Sequence, residues 1–358
     1  MISYISPNTS IGERKGTLYA YLSNESHMKS KPRNHAIDRA KVLCAFLVIY
    51  AHLFHHDSRV RLFIYAFHMA LFFLISGMFF KPHEDFWKGV LSSFRRIVVP
   101  AFFFEAFLII VYIPLYQYDI LPHKAEYGSL LSRLCHQFYG DFLKMFDNGD
   151  LFNGVVWFLF ALFWCNVFLS IFKRKRILGA SIPIIIYAVY YLFEIDIFYS
   201  VQGAMAFPFF LIGNKYKPQI NKYTTDGKWM TYLSVTFLCL IITVLLTIVN
   251  GRVSFKGCCF GDLSVYISGP LFLINGLTGT WMIISLASVI PVKGKWVTAL
   301  SKSLISTLGY QYLFIIPLEA SPYQPTIWSA IPISIVILLG CHLLHQITEK
   351  YLPSCIGR

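Results

Sequence analysis

From Ile37 onward the chain alternates long apolar runs with short polar breaks. Ten runs stand out, near 38–56, 62–80, 97–116, 151–172, 177–195, 197–213, 230–249, 264–290, 303–320 and 325–347. Most approach the roughly 20 residues that a helix needs to cross a bilayer. A backbone in lipid must satisfy its own hydrogen bonds, so apolar runs of this length predict helices. The expected fold is therefore an all-α integral membrane protein, a bundle of about ten transmembrane helices. Glu194 and Asp196 leave only a tight turn between the fifth and sixth runs, and the short sixth run holds Gly203 and Pro208. Residues 1–35 are polar and lack the apolar core of a signal peptide, so they are expected to form a disordered cytoplasmic segment. Residues 36–348 then form the ten-helix domain, and 349–358 a short cytoplasmic tail.

Composition and charge sharpen this picture. The 358 residues are 56% hydrophobic and 14% charged, where soluble domains average about 25% charged. The formal net charge is +13, but the cations sit in small clusters between apolar runs, without a recognition motif, so no nucleic-acid partner is expected. With both termini in the cytoplasm, 24 of the 31 Lys and Arg fall inside and seven outside: Arg59, Arg61, Lys124, Arg133, Lys144, Arg252 and Lys256. That bias is the orientation signal of a multi-pass protein of the cytoplasmic (inner) membrane, surrounded by lipid. Eight cysteines lie singly apart from Cys258-Cys259; their spacing suggests buried thiols and no metal site. The loop at 117–150 mixes aromatics with Asp119, Glu126, Asp141, Asp147 and Asp150. Such a mixture suits an interfacial helix and suits sugar stacking.

Candidate chemistry is concentrated in the first three runs. In the stretch Asp38 to His52, His52 lies eleven positions after Lys41, which places both on one helical face about 16 Å apart. Val48 and His55 extend the stripe. A neutral imidazole takes a proton near physiological pH, which makes His52 the leading candidate for a general base. His68 is a second intramembrane imidazole, and Ser76-Gly77 beyond it suits close helix packing. Arg95 and Arg96 open the third run as snorkelling anchors or as phosphate ligands. Glu105, inside that run, demands a partner.

The order Ile37-Asp38-Arg39-Ala40-Lys41, His52, Phe67-His68-Met69-Ala70, the basic pair with Ile97-Val98-Val99-Pro100, then Trp157-Phe158-Leu159, resembles the transmembrane acyltransferase-3 family, nearest its fucose 4-O-acetylase-like branch. Weaker echoes follow in FPFFLIG at 207–213 and in SKSLISTLGYQYLF at 301–314. The resemblance implies transfer of an acyl group, usually acetyl from cytoplasmic acetyl-CoA, to a hydroxyl of a surface or lipid-linked glycan. By matching position, His52 is the catalytic histidine, while Lys41, Arg95 and Arg96 hold the acetyl-CoA phosphates. His68 and Glu105 complete the candidate catalytic set, and polysaccharide-assembly proteins are possible partners. Gln311 stands where relatives often carry histidine, and Ala70 where many carry proline. His52 either deprotonates the sugar hydroxyl or is itself acylated. The rival reading is a secondary transporter or glycan flippase that uses His52, His68 and Glu105 as a proton relay; no internal repeat supports it.

Overall fold

The computed structural model describes residues 33–54, 58–117, 153–292 and 294–357. Its helical body is His35–Arg358. Helix α1 (His35–His52) is followed by α2 (Arg59–Tyr65) and α3 (His68–Phe79), which a break at Ala66-Phe67 separates. Next come α4 (Phe86–Ser93), a π-helical turn (Phe94–Val98) and α5 (Val99–Gln117). The chain continues through α6 (Trp157–Arg174), α7 (Arg176–Phe193), α8 (Ser200–Lys215), α9 (Lys217–Asp226), α10 (Trp229–Asn250) and α11 (Val265–Val289). Last are α12 (Lys295–Lys302), α13 (Leu304–Tyr310), α14 (Tyr312–Ala320), α15 (Ile327–Tyr351) and a 3-10 turn at Pro353–Ile356.

Each of the ten apolar runs contains helix. Among the described residues, six helical stretches are long and apolar enough to cross a membrane by length and composition: α2 with α3, α6, α7, α10, α11 and α15. The run at 303–320 is two helices, α13 and α14, meeting at Gln311. The short sixth run is indeed a helix, α8, of 16 residues. Its tight entry puts Glu194, Phe198 and Tyr199 in the left-handed region. Asp196 stabilises that entry by accepting hydrogen bonds from Val201 N at 3.2 Å and Ser200 Oγ at 3.4 Å. The loop expected at 117–150 lies, beyond Gln117, outside the described residues, as does His55.

Burial sorts the helices into layers. α3 is buried almost throughout, whereas α7 and α10 expose Ile184, Leu192, Phe237, Leu245 and Ile248, as a lipid-facing surface should. α3 and α8 cross at Gly77 and Gly213. A Cβ on Gly77 would run into the Phe210 carbonyl, and one on Gly213 into that of Leu74. Asn214 Nδ2 ties the crossing by donating to the Gly77 carbonyl at 3.0 Å. Small residues here let two backbones touch, the packing expected for Gly77.

Helix α1 is fixed in depth at its start. Buried Asp38 accepts a hydrogen bond from Ser301 Oγ at 2.8 Å. Buried Arg39 donates to the carbonyls of Ala287 at 2.6 Å and Val292 at 2.9 Å. Charges in a helix bundle are tolerable only when bonded in this way, so α1 cannot slide along α11 or α12. The positions of Lys41 and His52 follow from that anchor.

Candidate active site

α1 ends on His52, and two tyrosines from other elements close around it. Tyr65, the last residue of α2, and Tyr312, the first of α14, place their hydroxyls 3.4 Å and 3.3 Å from His52 Nδ1. Both rings meet the imidazole edge to face, with centroids 5.9 Å and 5.4 Å away. His52 faces a cavity of about 410 Å³ whose lining includes Val48, His68, Met69, Gly154, Trp157 and the chain from Arg252 to Gly257. A smaller cavity of about 260 Å³, lined by Glu319 and Tyr323, also reaches His52.

His68 lines the larger cavity but is tied locally. Its Nδ1 donates to the Ile64 carbonyl at 2.9 Å, and its ring packs 4.8 Å from that of Tyr65. Tyr65 therefore stands between the two imidazoles. Glu105 goes elsewhere. It is 2% exposed and accepts hydrogen bonds from Asn153 N at 3.2 Å and 3.0 Å, while Asn153 Nδ2 donates to the Gly309 carbonyl at 2.8 Å. Its carboxylate thus fixes the entry to α6, whose Gly154, Val155 and Trp157 line the cavity.

Lys41 opens on a different cavity, of about 580 Å³, at the other end of α1. Lys81, Arg96 and Lys302 join it there with Ser76, Ser93 and Asn166, and none of its described lining residues is acidic. The Lys41 ammonium sits 4.1 Å from the centroid of the Phe79 ring. Of the basic pair, Arg96 lines this cavity and Arg95 does not. The two cavities share no residue. Met69 and Trp157 line the one at His52, and Phe72 and Phe158, one turn or one residue further along the same helices, line the other. The Phe72 and Phe158 rings, 5.8 Å apart and buried, form a layer between them.

Several of these neighbours were not candidates from sequence. Arg61 read only as an outside cation, and the sequence singled out neither Tyr65 nor Tyr312. Gln311 is fully buried beside Tyr312, and its Oε1 has no hydrogen-bond partner among the described residues. It faces none of these cavities; the neighbouring tyrosine does. Another histidine cluster joins Ser306 Oγ to His345 Nδ1 at 2.8 Å, with His345 Nε2 3.4 Å from Glu349. Ser306 is buried and does not line the adjoining cavity, so the cluster packs α13 on α15. Among the described residues no three His, Cys, Asp or Glu are placed to hold a metal.

No curated protein and no solved structure matches the chain. A model of the acyltransferase domain matches residues 34–346, from the start of α1 to the last turns of α15. Over that range lie Lys41, His52 and nearly all of the apolar helices; this multi-pass membrane protein belongs to the acyltransferase-3 family.

Proposed function

We propose that the protein is an O-acetyltransferase of the cytoplasmic membrane. It moves acetyl from cytoplasmic acetyl-CoA to a hydroxyl of a surface or lipid-linked polysaccharide. The observation that carries this reading is the pair of separate cavities at the two ends of α1, one cationic, the other holding His52. Acetyl-CoA is large and multiply charged, so its phosphates belong with a cluster of cations. Lys41, Lys81, Arg96 and Lys302 provide them, by charge-assisted contacts. The pantetheine arm then passes the Phe72 and Phe158 rings, bringing its thioester to His52 across roughly 16 Å of α1.

At His52 the chemistry needs a lone pair and a held proton. A phenol both donates and accepts, so Nδ1–H donates to one tyrosine oxygen and Nε2 keeps its lone pair for the acceptor hydroxyl. As Nε2 removes that proton, the hydroxyl oxygen bonds to the acyl carbon. The carbonyl oxygen gathers charge, and the second phenol is the donor at hand to stabilise it. The C–S bond then breaks, CoA leaves as thiolate and takes the proton from His52, and the ester remains on the glycan.

The test is glycan-dependent release of CoA from acetyl-CoA by purified protein in proteoliposomes. His52→Ala is expected to lower turnover by about 10²- to 10⁴-fold, the contribution of a general base, with insertion and thermal stability unchanged. Normal acetylation by that variant overturns the assignment.

A further inference from the structure

The His52 cavity holds more positive charge than acyl transfer to a neutral sugar requires. Arg61, Arg252 and Lys256 all line it, and none of its described lining residues is acidic. They are three of the seven cations that the charge pattern sends to the outer side, gathered on one cavity. Arg61 is 8% exposed. Its Nη1 donates to the Phe54 carbonyl at 2.9 Å, its guanidinium carbon lies 4.8 Å from the Tyr65 ring centroid, and its Nε has no hydrogen-bond partner among the described residues. A buried guanidinium whose Nε lacks a partner is costly until an anion completes it.

Arg252 and Lys256 are exposed side chains on an ordered turn. Ser254 and Cys259 exchange backbone hydrogen bonds at 2.9 Å and 2.8 Å. Arg252 N donates to the Asp262 carboxylate at 2.9 Å, and Gln202 Nε2 donates to the Lys256 carbonyl at 3.1 Å. Phe255 between them is buried against Phe73, Phe209 and Phe272. The fold therefore holds both cations at the mouth of the cavity. Arg61 also lines the smaller neighbouring cavity, where Glu319 supplies a negative charge.

The geometry points to an anionic acceptor: a glycan bearing an oxyanion, carboxylate or phosphate, close to the hydroxyl that is acylated, and recognised by Arg61, Arg252 and Lys256. A guanidinium fork matches either oxyanion in two parallel hydrogen bonds. This inference rests on the His52 cavity being the acceptor side of an acetyltransferase, and the bonds made and broken are those given above.

The experiment gives the full chain in proteoliposomes acetyl-CoA and matched acceptor pairs. One pair is a glucuronate-containing oligosaccharide and its carboxyl-reduced twin; the other is a phosphorylated oligosaccharide and its phosphatase-treated twin. The anionic member of one pair is expected to exceed its neutral twin by about tenfold or more in kcat/KM, the size of a charge-assisted contact, and the pair that responds tells carboxylate from phosphate. Arg61→Gln should erase that ratio. Because Arg61 is buried, the exposed double variant Arg252→Gln/Lys256→Gln carries the test independently and should lower the ratio several-fold. Equal use of charged and neutral twins, or an unchanged ratio in the double variant, overturns the inference while acyl transfer stands. Absence of transfer to every acceptor by the unmodified protein, with His52→Ala no different, refutes the acetyltransferase reading and this inference with it.

Discussion

Both phenols beside His52 converge on its Nδ1. In the proposed mechanism Tyr65 and Tyr312 are positioning residues for the tautomer that leaves Nε2 basic. Tyr65→Phe and Tyr312→Phe should each lower kcat about tenfold, the scale reported for partners that orient a functional imidazole, with the KM for acetyl-CoA and thermal stability unchanged. A loss confined to stability would make them packing residues only. His52 itself was legible in the sequence because an imidazole inside an apolar run is costly and its spacing from Lys41 is helical. The tyrosines were not. Tyr312 lies 260 positions from His52, and in a chain with 22 tyrosines nothing local marks the two that close on it.

Among the elements, the crossing of α3 and α8 controls where His68, Phe72 and Ser76 stand, because all three ride on α3. Gly77→Ala would press a methyl against the Phe210 carbonyl, which neither backbone can yield without moving. Overpacking of this kind costs about 1–3 kcal/mol. The expected result is a lower melting temperature in detergent with reduced transfer, and a stability equal to that of the unmodified protein would show that the crossing can relax. Hydropathy disclosed the helices, and the small residues hinted at the crossing. The split of 303–320 at Gln311 escaped it, because α13 and α14 are equally apolar on both sides of the break. The turn carrying Arg252 and Lys256 escaped it as well. Its order depends on Phe255 reaching rings on three other helices, a tertiary fact with no local pattern.

At the scale of the whole molecule, α1 connects two cavities that open separately, and the Lys41 cavity, the proposed donor end, gathers cations from four parts of the chain. Arg96→Ala is expected to raise the KM for acetyl-CoA about tenfold, the scale of a charge-assisted phosphate contact, with a smaller change in kcat. An unchanged KM would leave Arg96 as an interfacial anchor. Arg95, equal to Arg96 in sequence, serves as the internal comparison because it lies outside the cavity. The buried rings of Phe72 and Phe158 between the two cavities have a bearing on the living membrane. A continuous watery passage of this bore would discharge the ion gradients on which a cell runs. In the proposed transfer, that layer would keep the protein electrically tight while a two-carbon fragment changed sides on the end of a slender arm.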